Sequence, residues 1–178
     1  HWDGRLRRSS PAGAASTVAG FAEDYGAVAL GFARLAGALG DAEWLRRAQE
    51  LLAQALELFG AADGGFHDAA ADAEQLFARA RDVSDNPTPS GTSALIAALR
   101  LVGLLADDAS LIERADLAAG TIRGMLEQAP RFAGSALLDA LVADEARTGL
   151  RPAVAVVIGD TLGQDARATW RMAPIGTA

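Results

Sequence analysis

The chain has 178 residues, enough for one domain with a substantial core, and its 51% hydrophobic and 22% charged residues suit a globular rather than a disordered protein. A net charge of −7 argues against general nucleic-acid binding, which needs a basic face to displace phosphate counterions. Cysteine is absent, which excludes disulfides, thiol catalysis and cysteine zinc sites, and all 16 basic residues are arginine, which excludes Schiff-base chemistry through a lysine amine.

No signal peptide is visible at His1-Trp2-Asp3-Gly4, and no run of about 20 apolar residues could cross a bilayer, so the expectation is a soluble, cytoplasmic protein with no membrane partner. Residues 1–20 carry Arg5, Arg7 and Arg8 ahead of Ser9-Ser10-Pro11-Ala12-Gly13 and read as an irregular arm or short hairpin. From Phe21 to Leu39 only Glu23, Asp24 and Arg34 are charged, which predicts a buried helix. It ends at Gly40, with Asp41 as N-cap of the next helix.

The second helix, 42–59, places Trp44, Leu45, Ala48, Leu51, Leu52, Ala55, Leu56 and Phe59 at steps of three and four between charged residues, the pattern of an amphipathic helix with a wet face. Asp63-Gly64-Gly65-Phe66-His67-Asp68 reads as a turn into a short strand, and a second short strand is expected around Leu76 to Ala80, both within the loop 60–89.

That loop closes with Asp82-Val83-Ser84-Asp85-Asn86-Pro87-Thr88-Pro89-Ser90-Gly91-Thr92-Ser93, which gathers turn chemistry, two carboxylates and a helix start. The residue before a proline is pushed out of helical backbone, and Ser90 to Ser93 supply capping hydroxyls. The third helix, 91–106, is apolar from Ala94 to Leu105 apart from Arg100 and Gly103. The fourth, 109–128, is amphipathic, and after Pro130 the stretch from Phe132 to Val142 is mainly apolar with Asp139 as its interior charge. Pro152 to Ile158 reads as a strand ending at Gly159-Asp160, followed by a short helix about 162–171.

An internal repeat underlies this order. Asp41-Ala42-Glu43-Trp44-Leu45-Arg46-Arg47-Ala48 matches Asp108-Ala109-Ser110-Leu111-Ile112-Glu113-Arg114-Ala115 at the same place in each helical hairpin, an offset of 108 − 41 = 67. Dry and wet helices in alternation call for an inner and an outer layer, as in an α/α toroid or α-solenoid. The expected fold is therefore all-α, a partial α/α toroid of about five long helices with short β segments in 60–89 and near 152–158. Its domain layout is an arm at 1–20, an α/α-hairpin domain at 21–148 and a strand-and-helix tail at 149–178. Inner helices running the same way would bring Asp24-Tyr25, Asp82 to Ser93 and the Pro130-Arg131-Phe132 corner to one end, where a pocket is expected.

The order Gly20-Phe21-x-x-Asp24-Tyr25, Gly40-Asp41-x-x-Trp44-Leu45, Gly64-Gly65-Phe66, Arg81-Asp82-x-x-Asp85-Asn86-x-x-Pro89-Ser90-Gly91 and Val156-Val157-Ile158-Gly159-Asp160 resembles the C-terminal region of a known family. These are the thioredoxin-domain proteins related to the bacterial YyaL protein and the animal spermatogenesis-associated protein. The resemblance implies an α/α toroid of the six-hairpin glycosidase type, similar to the N-acylglucosamine 2-epimerases, following a thioredoxin-like domain. Thr92 departs from the asparagine usual in that family. A full toroid has about twelve helices, so the resemblance further implies that this chain is the final part of a longer protein. The apolar flanks of a partial ring would then self-associate or dock to the missing N-terminal portion.

Paired histidines, which the resemblance to the epimerases implies for proton transfer, cannot be assembled from His1 and His67 alone. Hydrolysis of a glycoside needs two carboxyls about 5 to 10 Å apart, one kept protonated. Asp24, Asp82 and Asp85 are the catalytic candidates, with Tyr25, Arg81, Ser90 and Thr92 as ligand-binding groups for a small carbohydrate-like ligand. Each also has a structural reading: Asp24 as a first-turn helix charge, Asp82 paired with Arg81, Asp85 capping the Asn86-Pro87 turn, and Tyr25 as a buried helix-end tyrosine with a bonded hydroxyl. His67 reads as a hairpin-surface residue, since no second histidine can join it in a metal site; no cofactor and no metal is expected. Two roles stand open, a carbohydrate-binding or carbohydrate-processing pocket and a non-catalytic scaffold.

Overall fold

The computed structural model of the chain describes residues 4–9, 17–74 and 78–148. Among the described residues six α-helices dominate: α1 (Ala22–Leu39), α2 (Ala42–Phe59), α3 (Gly91–Ala106), α4 (Ala109–Thr121), α5 (Arg123–Gln128) and α6 (Gly134–Thr148), with a short 3₁₀ turn at Pro130–Phe132 before the last. Two compact units divide at 140/141; α1 to α5 and the start of α6 belong to the first, and the described part of the second is 141–148.

Caps legible in the sequence set the starts of α2, α3 and α4. The Asp41 carboxylate accepts from the Glu43 N–H at 2.9 Å, the Ser90 hydroxyl from the Ser93 N–H at 3.1 Å, and the Asp108 carboxylate from the Ser110 N–H at 2.9 Å. The two hairpins turn in the same way. Gly40 ends α1 at φ 66°, and Asp107, 67 residues later, ends α3 at φ 53°, both in left-handed backbone.

Layering follows from which faces are dry. On α3 Leu95, Ile96, Leu99 and Val102 are at most 1% exposed, and each such side chain stabilises the fold by about 1.5–3 kcal/mol relative to water contact. On α2 only one stripe is buried, Ala48, Leu51, Leu52, Ala55 and Phe59, and on α4 only Ala115 and Ala118. On the wet face of α2 Glu43 pairs with both Arg46 and Arg47, and the two guanidiniums hold its pKa down to about 2.

The α1 and α3 helices lie against each other and run parallel. A Cβ at Gly26 would meet the Ala94 backbone and the Leu95 nitrogen at 2.8 Å, and a Cβ at Gly91 would meet the Ala22 Cβ at 2.8 Å. Contacts ascend together along both helices, so their starts sit side by side. Only glycine permits this approach.

The irregular parts depart from the sequence reading in three places. Among the described residues no strand forms: the expected β segments of 60–89 reduce to single antiparallel pairings, Gly60 with Phe66 and Asn86 with Thr88, and another joins Arg7 to Ala19 in the N-terminal arm. Backbone groups of that loop are taken elsewhere, the His67 N–H by the Phe59 carbonyl at 2.8 Å, the Ala71 N–H by the Leu58 carbonyl at 2.8 Å and the Leu58 and Ala69 carbonyls by the Arg79 guanidinium. Of the second expected strand, residues 75–77 lie outside the described residues, as do the strand and helix expected in 152–171.

The predicted helix 109–128 is broken at Ile122, whose φ of −107° and ψ of 3° interrupt the helix between Gly120 and Gly124. Thr121 adds to this, its hydroxyl donating to the Ala118 carbonyl at 2.7 Å. The helix expected over 132–142 starts at Gly134 and runs to Thr148, because Pro130 opens a 3₁₀ turn first and the α6 start is fixed by a residue from a distant loop.

Candidate functional site

The loop 82–90 and the starts of α1 and α3 enclose a cleft of about 320 Å³. It is lined by Arg8, Phe21, Glu23 and Asp68 and by Asp82, Ser84, Thr88 and Ser90 of the loop. Parallel helix starts place the partly positive ends of α1 and α3 together beside it. Acidic side chains are the complement such an end attracts.

Asp82 is the sequence-predicted acid that this cleft holds. Its carboxylate accepts from the Ser84 N–H at 2.9 Å and from the Ser84 hydroxyl, and those two donors, the hydroxyl foremost, keep its pKa below the ordinary aspartate range. The pairing with Arg81 expected from the sequence is replaced by this local turn. Behind it Asp68 accepts the Asp82 N–H at 2.9 Å, and its own carbonyl accepts the Ala22 N–H at 3.0 Å, tying the loop to the start of α1. Ser90 also lines the cleft, its hydroxyl engaged with Ser93.

The remaining candidates are drawn into structure rather than into the cleft. Asp24 accepts the Phe21 N–H at 2.8 Å, closing the first turn of α1, and meets Arg8 at 3.4 Å. Tyr25 is fully buried, its ring edge-on to Phe59 at 5.2 Å and its hydroxyl accepting the Leu6 N–H at 3.1 Å. Asp85 is a clasp: one oxygen accepts the Ser90 N–H at 2.9 Å, the other the Ser135 and Ala136 N–H groups at 2.7 and 3.3 Å, so a single carboxylate caps α6 while fixing the approach to α3. The Asp85 N–H donates to the Phe132 carbonyl at 2.7 Å, which fastens the Pro130 corner to the same place.

Arg81 is held over Gly65, where a Cβ would come within 1.5 Å of its guanidinium, and pairs with Asp63 at 2.6 Å. Thr92, in the first turn of α3, is 1% exposed with an unpartnered hydroxyl oxygen and does not line the cleft. The half-buried His67 is likewise joined by no ligand set; among the described residues no group of three or more histidines, aspartates and glutamates could hold a metal ion.

Sequence reasoning missed Arg8, Phe21, Glu23, Asp68 and Ser84. Arg8 reads as surface charge, yet it pairs with Glu23 at 2.6 Å and lies over the Phe21 ring at 4.8 Å, a contact that only folding the arm onto α1 creates. The one available sign was spacing: Ser84 two residues after Asp82 is the pattern of an Asx turn.

Chemically the cleft offers carboxylate acceptors, hydroxyls and the Arg8 guanidinium, which is paired with Glu23. A retaining or inverting hydrolase needs one carboxyl kept protonated, and Asp82 is shifted in the opposite direction. Among the described residues no helix is long and apolar enough to cross a membrane. No known family model matches the chain, and no curated protein matches it.

Proposed function

We propose that this chain is part of an α/α-toroid array of the YyaL-like, thioredoxin-domain kind, and that the cleft at its inner-helix starts binds a small carbohydrate-like ligand without turning it over. The observation that carries the reading is the cleft itself: Asp82, Asp68, Glu23, Ser84 and Thr88 converge on about 320 Å³ next to the apolar edge of Phe21, at the low end of the range for small-ligand sites. Carboxylates and hydroxyls are groups that hydrogen-bond vicinal hydroxyls. Parallel packing of α1 and α3 and the wet outer faces of α2 and α4 support the toroid part of the reading.

Binding without turnover is favoured because Asp24 and Asp85, the two other candidate acids, are engaged by backbone N–H groups. The same fact favours the second reading, a non-catalytic scaffold with no small ligand. A thermal-shift screen of the full chain with mono- and disaccharides separates the two. A ligand at 100 times its Kd stabilises by about 2.7 kcal/mol, or roughly 5–10 °C in a chain of this size. Such a shift with wild type and its loss in Asp82→Ala supports binding; no shift with any sugar at about 10 mM leaves the scaffold.

A further inference from the structure

The internal repeat makes α1 and α3 equivalent residue by residue, and the two differ in one face. At the offset of 67, Ala27, Gly31 and Leu35 on α1 correspond to Ala94, Ala98 and Val102 on α3. The α3 residues are buried, at 6%, 0% and 0% exposure. Ala27 is exposed, Gly31 has open space where a Cβ would be, and Leu35 is 40% exposed. Positions on the opposite face are buried in both helices: Tyr25 and Thr92, Ala29 and Ile96, Ala33 and Arg100.

What covers the α3 face is known from its upper end. Ala94 lies against Gly26 of α1, in the close parallel approach that a side chain at position 26 would prevent. Carried back by one repeat, the same geometry puts an inner helix alongside α1, with a small residue opposite Ala27. Gly31 is consistent with this. A glycine in mid-helix costs about 1 kcal/mol relative to alanine, and nothing among the described residues approaches it closely enough to require one.

We propose that the face of α1 formed by Ala27, Gly31 and Leu35 is a docking surface for one further helical hairpin, whose inner helix runs parallel to α1 and presents a glycine- or alanine-lined side. The occupant is a separate hairpin rather than a second copy of this chain. This rests on the array reading above: the side that α1 turns to α3, Gly26, Ala29 and Ala33, is already buried, so a second copy could not repeat the α1–α3 packing on this face with that side.

Because the chain has no cysteine, Ala27→Cys introduces a single thiol whose maleimide labelling rate reads the face, with Ala53→Cys on the exposed side of α2 as reference. In the natural chain both thiols should label within about three-fold of each other at low micromolar concentration. The occupant is then supplied by inserting a copy of residues 24–90 ahead of Asp24, with the original Asp24 changed to glycine to match Gly91. Labelling at the original position 27 should slow at least ten-fold while position 53 is unchanged. Equal rates overturn the proposal. So does slow labelling of Ala27→Cys in the natural chain: independent of concentration it means that the chain covers the face itself, and dependent on concentration it means a second copy. Should the insertion not fold, a peptide of residues 22–60 added at about 100 μM to the natural Ala27→Cys chain must slow labelling, and its failure to do so overturns the proposal equally.

Discussion

Charge is used in opposite ways at the two ends of the region around α3. At the contact with α6, Arg100 is 6% exposed and pairs with Asp139, itself 8% exposed, at 3.1 Å, and with Asp116 at 2.8 Å; burial works against its charge, and the carboxylates more than offset this, raising its pKa. At the cleft, Asp82 is exposed and its donors come from the same turn. The first arrangement joins three helices and has no room for a ligand. In the second the carboxylate takes its donors from its own turn, both on one oxygen.

The comparison breaks most easily at the buried end. Arg100→Leu leaves Asp139 buried without its partner and should lower stability in urea by about 3–5 kcal/mol; a loss below about 1 kcal/mol would mean that the cluster is not closed as described. Asp85→Ala, which strips the Ser90, Ser135 and Ala136 N–H groups of their acceptor, should cost about 2 kcal/mol and fray the start of α6, seen as faster amide exchange at Ser135 and Ala136.

The α1 glycines sharpen the picture on a second axis. Gly26→Ala should cost about 1–3 kcal/mol by driving α1 and α3 apart, whereas Gly31→Ala should gain about 0.5–1 kcal/mol in thermal melting. Smallest is Asp82→Ala, expected to leave stability within about 0.5 kcal/mol while abolishing any sugar-induced shift. The pH dependence has a definite sign. Since the folded Asp82 pKa is depressed below 3.8, its small stabilising contribution is present above that value and is lost as pH falls through the folded pKa. An NMR titration of the Asp82 carboxyl with a midpoint above 4 would contradict the Ser84 turn.

The first three helices were legible because period, caps and repeat agree; the break at Ile122 and the bounds of α6 were not. The starts of α2 and α3 follow from Asp41 and Ser90, both local signals. Even the buried ion pair had a trace, since Arg100 and Asp139 are lone charges in otherwise apolar stretches. The candidate site was less legible. Asp24, Asp82 and Asp85 look alike as letters, and what separates them is which backbone N–H groups arrive from elsewhere: Phe21 for Asp24, Ser135 and Ala136 from 50 residues downstream for Asp85, and only its own turn for Asp82. Arg8 and Asp68 joined the cleft through contacts that no periodicity encodes.

The turn after α3 carries a consequence of its own. Where the first hairpin reverses on Gly40, the second keeps the same left-handed bend with an aspartate, a residue that pays roughly 1 kcal/mol for that backbone and is tolerated there better than most. The two hairpins therefore share the bend but not the residue, and Asp107→Gly is an unused improvement: a change that touches no cleft residue, gives the second bend the glycine of the first and should raise the melting temperature by a few degrees.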